Sequence, residues 1–298
     1  LKGKAIATGN ATVTTAANHI DDVWVEGYIR ALEFELVIAP IVDRSWTFQG
    51  HGDTYIKERY GNIESQTKTA STALDPTVYT DTAQSISINV HEACAIKVED
   101  IAQLLARGDH KAQMQKSMGY SLGRAVDVRL AALAQNFSQI VGTLGVELTF
   151  DNFLRAVQYV REAGYVMGRD MHWVLSTAQE IGLLKMDTFV HADYVGGDAA
   201  RSAHESASIG RFQGAPVLSS NLVRSPATGQ HESFLLHKET VALIMAQNPK
   251  TSTDRIALDL ADVVVQDQVL GAAEVNRYSE TPGNITATDE GSVLLRSI

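Results

Sequence analysis

Residues 61–84 read GNIESQTKTASTALDPTVYTDTAQ and contain hardly any large apolar side chain. Roughly two dozen polar residues with no structure of their own do not belong inside a compact domain. A strand pattern follows at once, with Ile86, Ile88 and Val90 alternating with polar residues. Upstream, residues 41–48 read as a strand and 52–60 as a second extended piece. The arrangement that reconciles these features is a long hairpin projecting from the body. A two-stranded ribbon leaves its backbone edges unpaired and is barely stable alone in water. Such an element has to lie on another subunit.

The flanking segments carry conventional signals. Residues 1–18 are small and polar and read as an arm. Asn18 is placed to cap a helix from His19, with Asp21 and Asp22 in its first turn. Ile20, Trp24, Tyr28, Leu32 and Leu36 recur every fourth residue, and Pro40 ends that helix. A short helix is expected over 98–106, closing at Gly108. From 110 to about 139 the chain runs without proline, with Met114, Met118, Leu122, Val126, Leu130, Leu133 and Phe137 inside an arc of roughly 160°. Gln115 and Arg129 intrude on that stripe. Downstream, Thr149 caps a helix closed by Gly164, 171–176 is a strand and 177–186 a short helix. The small, polar residues 193–210 read as a surface loop. Strands follow in RFQGAPVLSS, SFLLHKE, 240–246 and the run from Ile256 to Ser279, and then a short tail. The class is mixed α+β.

Inside the long helix lies Gly119-Tyr120-Ser121-Leu122-Gly123. This is G-x-S-x-G, the turn that presents a nucleophilic serine in esterases, and also G-x-x-x-G, a close-approach spacing. An elbow serine needs a buried hydrophobic strand before it, whereas Ser121 follows polar, helix-favouring residues in phase with the stripe. Two helical glycines cost about 2 kcal/mol relative to alanine. Seven buried side chains contribute more than ~10 kcal/mol as an upper bound. The helix reading wins, and the glycines mark a place where a neighbouring element comes close.

Other chemistry is sparse. The nine histidines (19, 51, 91, 110, 172, 191, 204, 231 and 237) are dispersed and form no metal-ligand spacing. Asp259, Asp262 and Asp267 suggest a cation site less well than they suggest solvated strand faces. Cys94 is alone, so it forms no intrachain disulfide; it reads as a buried structural thiol. We expect no catalytic, cofactor-binding or metal-binding residues. A net charge of −10, from 35 acidic against 25 basic side chains, argues against nucleic-acid readout and anionic membrane surfaces. The opening stretch lacks the apolar core of a signal peptide, and no stretch approaches the ~18 apolar residues of a membrane span.

In their order, these elements resemble the major capsid protein of tailed bacteriophages, the Hong Kong ninety-seven-like fold. GDTYIKERYG resembles that family's rising loop strand, and SISINVHEACAIKVED its descending strand. FDNFLRAVQYVREAGYVMGRDMHWVLSTAQEIGLLKM matches the family's axial-domain order, and VLGAAEVNRYS its closing peripheral strand. Most specific is IGRFQGAPVLSSNLV, similar to its G-x-x-G-x-P-V-x-x-S-N segment. The resemblance implies an N-terminal arm (1–40), an extended loop with flanking strands (41–108) and a peripheral-domain spine helix (109–145). It further implies an axial domain (146–250), then returning peripheral strands and a C-terminal tail (251–298). It implies a structural, non-enzymatic subunit forming hexamers and pentamers of an icosahedral head around double-stranded DNA, without sequence-specific binding. Portal, scaffolding and cement proteins would be its other partners, and the virion capsid, assembled in the host cytoplasm, its location. The rivals are an encapsulin-type shell and a serine esterase using Ser121. Some relatives weld subunits through a loop lysine; Lys57 and Lys68 lie in the loop without an identifiable partner, so no cross-linking is expected.

Overall fold

The computed structural model describes residues 36–48, 50–60, 65–74, 76, 81–105, 110–168, 170–186, 210–275, 277–278, 287–288 and 291–297. The chain divides into Leu1–Leu32, outside the described residues, and Glu33–Ile298, whose architecture follows.

The ribbon is present. Strand β1 (Thr54–Tyr60) pairs antiparallel with β2 (Asp81–Ser87), and these two form a sheet by themselves. Strand β3 (Val90–Glu99) belongs to a different sheet and leads into helix α1 (Asp100–Leu105). The expected start of that helix, Val98, stays extended because Val98 and Glu99 pair with Asp262 and Ala261.

Helix α2 (His110–Leu133) continues as a 3-10 turn over Ala134–Asn136. At about 1.5 Å per residue the α-helical part is roughly 36 Å long, shorter than the pattern to 139 suggested. Residues Gln139–Gly142 instead form strand β4. The apolar stripe is buried at Met118, Leu122, Val126, Leu130 and Phe137, while Met114 is 42% exposed. Ala131, Ala134 and Asp127 are buried instead. The covered face is therefore rotated toward the flank carrying the small residues.

Helix α3 (Phe150–Glu162) begins after Thr149 and ends before Gly164, as expected, although the Thr149 side chain makes no capping bond. Strand β5 (Met171–Leu175) runs into helix α4 (Thr177–Leu184), which Ser176 and Gln179 close with a capping box. Strands β6 (Arg211–Phe212) and β7 (Ala215–Ser219) form a hairpin whose two-residue turn, Gln213-Gly214, has φ of 50° and 85°. Positive φ at both positions is the type I′ geometry that favours glycine. Strand β8 (His231–His237) precedes the long β9 (Val241–Ile256) and β10 (Ala261–Glu274). The apolar run at 240–246 is only the buried half of β9. Its outer half is polar and exposed, and so lacked the pattern of a buried strand.

Three expectations need correction. Residues 41–48 are not a strand: one bridge, Asp43 to Ala242, joins them to β9, and the apolar Ile41 and Val42 serve burial, not pairing. The arm helix does not reach Pro40, because residues 36–39 are non-helical. Strand β11 (Arg277–Tyr278) ends the expected run to Ser279, and the expected tail beyond it contains short strand β12 (Ala287–Thr288) and then a core strand, β13 (Ser292–Ser297), whose SVLLRS run is almost wholly buried. Of the loop expected at 193–210, all but Gly210 lies outside the described residues.

Besides the two-stranded sheets β1-β2 and β11-β12, a three-stranded sheet has the order β3-β10-β9 and a six-stranded one the order β4-β13-β8-β5-β7-β6. Helices α3 and α4 cover one face of the six-stranded sheet around Phe153, Trp173, Leu183 and Phe212. Its other face shares a core with α2, β9 and β10 through Val126, Leu130, Phe234, Leu243, Leu270 and Leu294. No described helix is long and apolar enough to cross a membrane.

Candidate functional site

The G-x-S-x-G motif lies wholly inside α2, with Ser121 exposed at mid-helix. The strained strand-to-helix turn of a nucleophile elbow is absent there, so the hydrolase reading loses its geometric basis. The glycines make room instead. A Cβ on Gly123 would come 2.6 Å from Leu36 Cδ1, and one on Gly119 3.7 Å from Gln266 Oε1.

One turn beyond Gly123, the buried Asp127 carboxylate accepts three consecutive backbone N–H groups. Val37 and Ile38 donate to Oδ2 at 2.8 and 3.2 Å, and Ala39 donates to Oδ1 at 2.9 Å. Convergent amides form an anion nest, and bonds to an ionised acceptor are stronger than neutral ones. This capture holds residues 37–39 in non-helical geometry. Asp127 escaped the sequence reading, although a signal existed. Gly123, Asp127, Ala131 and Ala134 share one flank of the helix, so a single acid stands in a ridge of small residues.

The ribbon is rooted by a separate cluster. Ile86 packs with Ala242, Ile244 and Val275, flanked by Trp46, Phe48, Tyr55 and Ile88. The Lys57 ammonium sits 5.3 Å over the Trp46 ring, and Gln84 Nε2 donates to the Glu274 carbonyl. Gly271 of β10 admits this root: a Cβ there would lie 2.5 Å from the Ser87 carbonyl oxygen and 3.1 Å from Ile88 Cα. Among the described residues, the ribbon's other face and its outer end have no such cover. Ile56 and Leu74 are 66% and 55% exposed, and the described residues between 65 and 76, Lys68 among them, all face water.

The aspartates once weighed as a cation site are each matched to a cation or donor. Asp259 pairs with Lys97, Asp262 with Lys111 and Arg255, and Asp267 with His91 and Gln247. The Lys111 bond holds the Asp262 carboxyl below the usual range, and the His91 bond does the same for Asp267. Arg255 also pairs with Asp100, which lowers that carboxyl and raises the guanidinium. No three metal-ligating side chains cluster among the described residues. Cys94 is half-buried on β3, less enclosed than expected. Among the histidines, His172 on β5 is half-buried with Nδ1 unpartnered, and burial pulls its pKa below the ordinary imidazole value. His19, His191 and His204 lie outside the described residues.

Two further groups tie the six-stranded sheet. Buried Glu232 bridges Arg224 and Arg296, the latter at 3.0 Å. In the S-N end of the recurring segment, the Ser220 hydroxyl accepts the Leu222 amide, and Asn221 accepts the Thr177 hydroxyl at 2.6 Å. That motif is a structural clasp.

A ribbon with its own sheet, a long helix beneath a three-stranded sheet and a second six-stranded domain core together define a distinctive topology. No protein-family model matches the sequence, and no curated protein does. Solved structures match it over nearly the full length. A Mycobacterium phage Che8 structure superposes with a TM-score of 0.77 at 16% identity, covering 93% of this chain and 96% of that one. The capsid of cyanophage P-SCSP1u gives 0.76 at 13%, covering 99% and 97%. The head of Helicobacter pylori bacteriophage KHP40 gives 0.76 at 12%, covering 100% and 99%. The fold is that of the phage capsid proteins. At these identities the likeness rests on architecture, in agreement with the Hong Kong ninety-seven-like order read from the sequence.

Proposed function

We propose that this chain is the major subunit of a tailed-phage head, self-assembling through hexamers and pentamers into an icosahedral shell around double-stranded DNA. One observation carries the reading: among the described residues nothing covers the outer ribbon, in a molecule that follows capsid architecture over nearly all of its length. Copies related by rotation would each drape the ribbon on the next, a heterologous contact that closes into rings. In this layout residues 1–40 are the arm, 41–108 the extended loop with its flanking strands and 109–145 the spine. Residues 146–250 are the axial domain, and 251–298 return to the periphery, with β13 rejoining the axial sheet. The acidic balance suits an inner wall that contains DNA without gripping it. The role is structural, in the virion, with portal, scaffolding and cement proteins as the further partners and no covalent cross-linking.

Negative-stain microscopy of the purified full-length protein tests this. Closed shells and five- or six-membered rings are expected. A homogeneous monomer would overturn the proposal. Nucleic acid in shells purified from producing cells separates it from a protein-enclosing encapsulin, and labelling of Ser121 by a fluorophosphonate would revive the esterase.

A further inference from the structure

At the end of the six-stranded sheet where β13 finishes, one buried acid holds two arginines. Glu232, only 2% exposed, accepts from Arg224 Nη1 through Oε2 and from Arg296 Nε through Oε1, the latter at 3.0 Å. The backbone fixes all three residues. Glu232 and Arg296 face each other in the β8–β13 register, and the Glu232 amide donates to the Arg224 carbonyl at 2.9 Å. The two arginine side chains remain 39% and 32% exposed. Two cations against one anion leave a surplus positive charge. By contrast, the described ion pairs of Lys97, Lys111, Arg129, Lys185 and Arg255 balance charge for charge. A single guanidinium already neutralises the Glu232 carboxylate, and partly burying a second cation beside it costs desolvation. On a chain of net charge −10, such a surplus points to an anion that completes the cluster.

We infer that this end of the sheet binds a phosphate group, held between Arg224 and Arg296; the inference stands whether or not the chain forms shells. A guanidinium carries its N–H donors in a rigid, planar fork. With Nη1 engaged, Arg224 keeps its Nε–Nη2 edge, and with Nε engaged, Arg296 keeps its Nη1–Nη2 edge. Among the described residues neither edge has a partner. Each is the shape that grips two oxygens of an oxyanion. Both hang from one carboxylate, so a single anion reaches the two together. A carboxylate has two oxygens and satisfies one edge, whereas a tetrahedral phosphate has enough for both. Glu232 is then a positioning residue, which holds the forks and limits the surplus to one charge. Position agrees with this chemistry. Strands β4, β5, β7 and β13 all finish at this end, and sheets with parallel strands receive ligands at the carboxyl ends of those strands. The phosphate can come free from solution or as a phosphodiester of DNA, since the group recognised is the same.

The test titrates inorganic phosphate into the purified full chain at constant ionic strength, replacing chloride, with binding followed by phosphorus NMR relaxation. Saturable binding with a dissociation constant on the order of 1 mM is expected. Arg224→Lys and Arg296→Lys keep the charge and an ion pair to Glu232 but lose the fork. Each should weaken binding about tenfold, with circular dichroism unchanged. In the wild-type chain, phosphate should also shield Arg224 and Arg296 from phenylglyoxal, read by peptide mass spectrometry, which keeps the question decidable where a lysine variant does not fold. A short DNA duplex then identifies the source. Displacement of phosphate from the wild type assigns the site to the DNA backbone, and no displacement assigns it to free phosphate; both results require the site to exist. No saturable binding by the wild type overturns the inference. So does undiminished binding by either folded lysine variant, or phenylglyoxal attack on the two arginines that phosphate leaves unchanged.

Discussion

Replacing Asp127 should damage the fold more than any other exchange of a single polar residue on α2. Its carboxylate accepts three backbone amides at 2.8–3.2 Å from a buried position. Hydrogen bonds to a charged acceptor are worth about 1.5–3 kcal/mol each, and an orphaned buried donor costs about 1–3 kcal/mol. Ile38 is the most enclosed donor, while Val37 and Ala39 are reached by water in part. The three losses therefore do not simply add, and Asp127→Ala should lose about 3–5 kcal/mol. At ~2–4 °C per kcal/mol for a domain of this size, melting should fall by roughly 10 °C. Asp127→Asn should lose about half as much, because its oxygen still serves Val37 and Ile38 while its NH2 group faces the Ala39 donor. Urea unfolding of the unassembled full chain, at constant m-value, gives the number directly. A loss under about 1 kcal/mol for Asp127→Ala would show that the nest holds nothing, and the account of residues 36–39 would fail with it.

Two glycines with opposite surroundings should respond oppositely to alanine. Gly271→Ala drives a methyl into the backbone of Ser87 and Ile88 and should cost about 1–3 kcal/mol, whereas Gly119→Ala meets only ordinary contact and should gain up to about 1 kcal/mol of helix propensity. Denaturant midpoints of the two variants decide it, and equal signs would contradict the proposed ribbon root. His172 should make the fold acid-sensitive. Burial, helped by Lys238 and opposed by Asp170, lowers its folded-state pKa, so the unfolded chain takes up the proton first. The contribution is intact above the ordinary value of about 6.5 and declines as pH falls below it. His172→Leu should flatten stability against pH just below about 6.5, and an unchanged slope would refute the assignment.

Much of this architecture was legible because each element obeyed one local rule. Phe153, Val157 and Val160 repeat with helical period ahead of Gly164, and α3 lies where they put it. The polar run at 61–84 excluded a compact core and so announced the ribbon. What escaped had tertiary causes. Val98 and Glu99 look helical but are recruited by β10. Ser292–Ser297 is too short to separate from a tail until β4 and β8 flank it. Asp127 and Glu232 are acids whose burial depends on partners that are distant in sequence or individually unremarkable, namely residues 37–39 for one and Arg224 and Arg296 for the other.

Hydrogen exchange along the ribbon, measured on dissociated subunits and on assembled particles of the same preparation, bears most directly on the central claim. The root around Ile86 should be protected in both states. The outer rungs, Glu58 with Ala83 and Arg59 with Thr82, should exchange rapidly in the free subunit and slowly after assembly. Outer rungs already protected in a lone subunit would mean that the ribbon needs no neighbour, and the shell account would be wrong at its foundation.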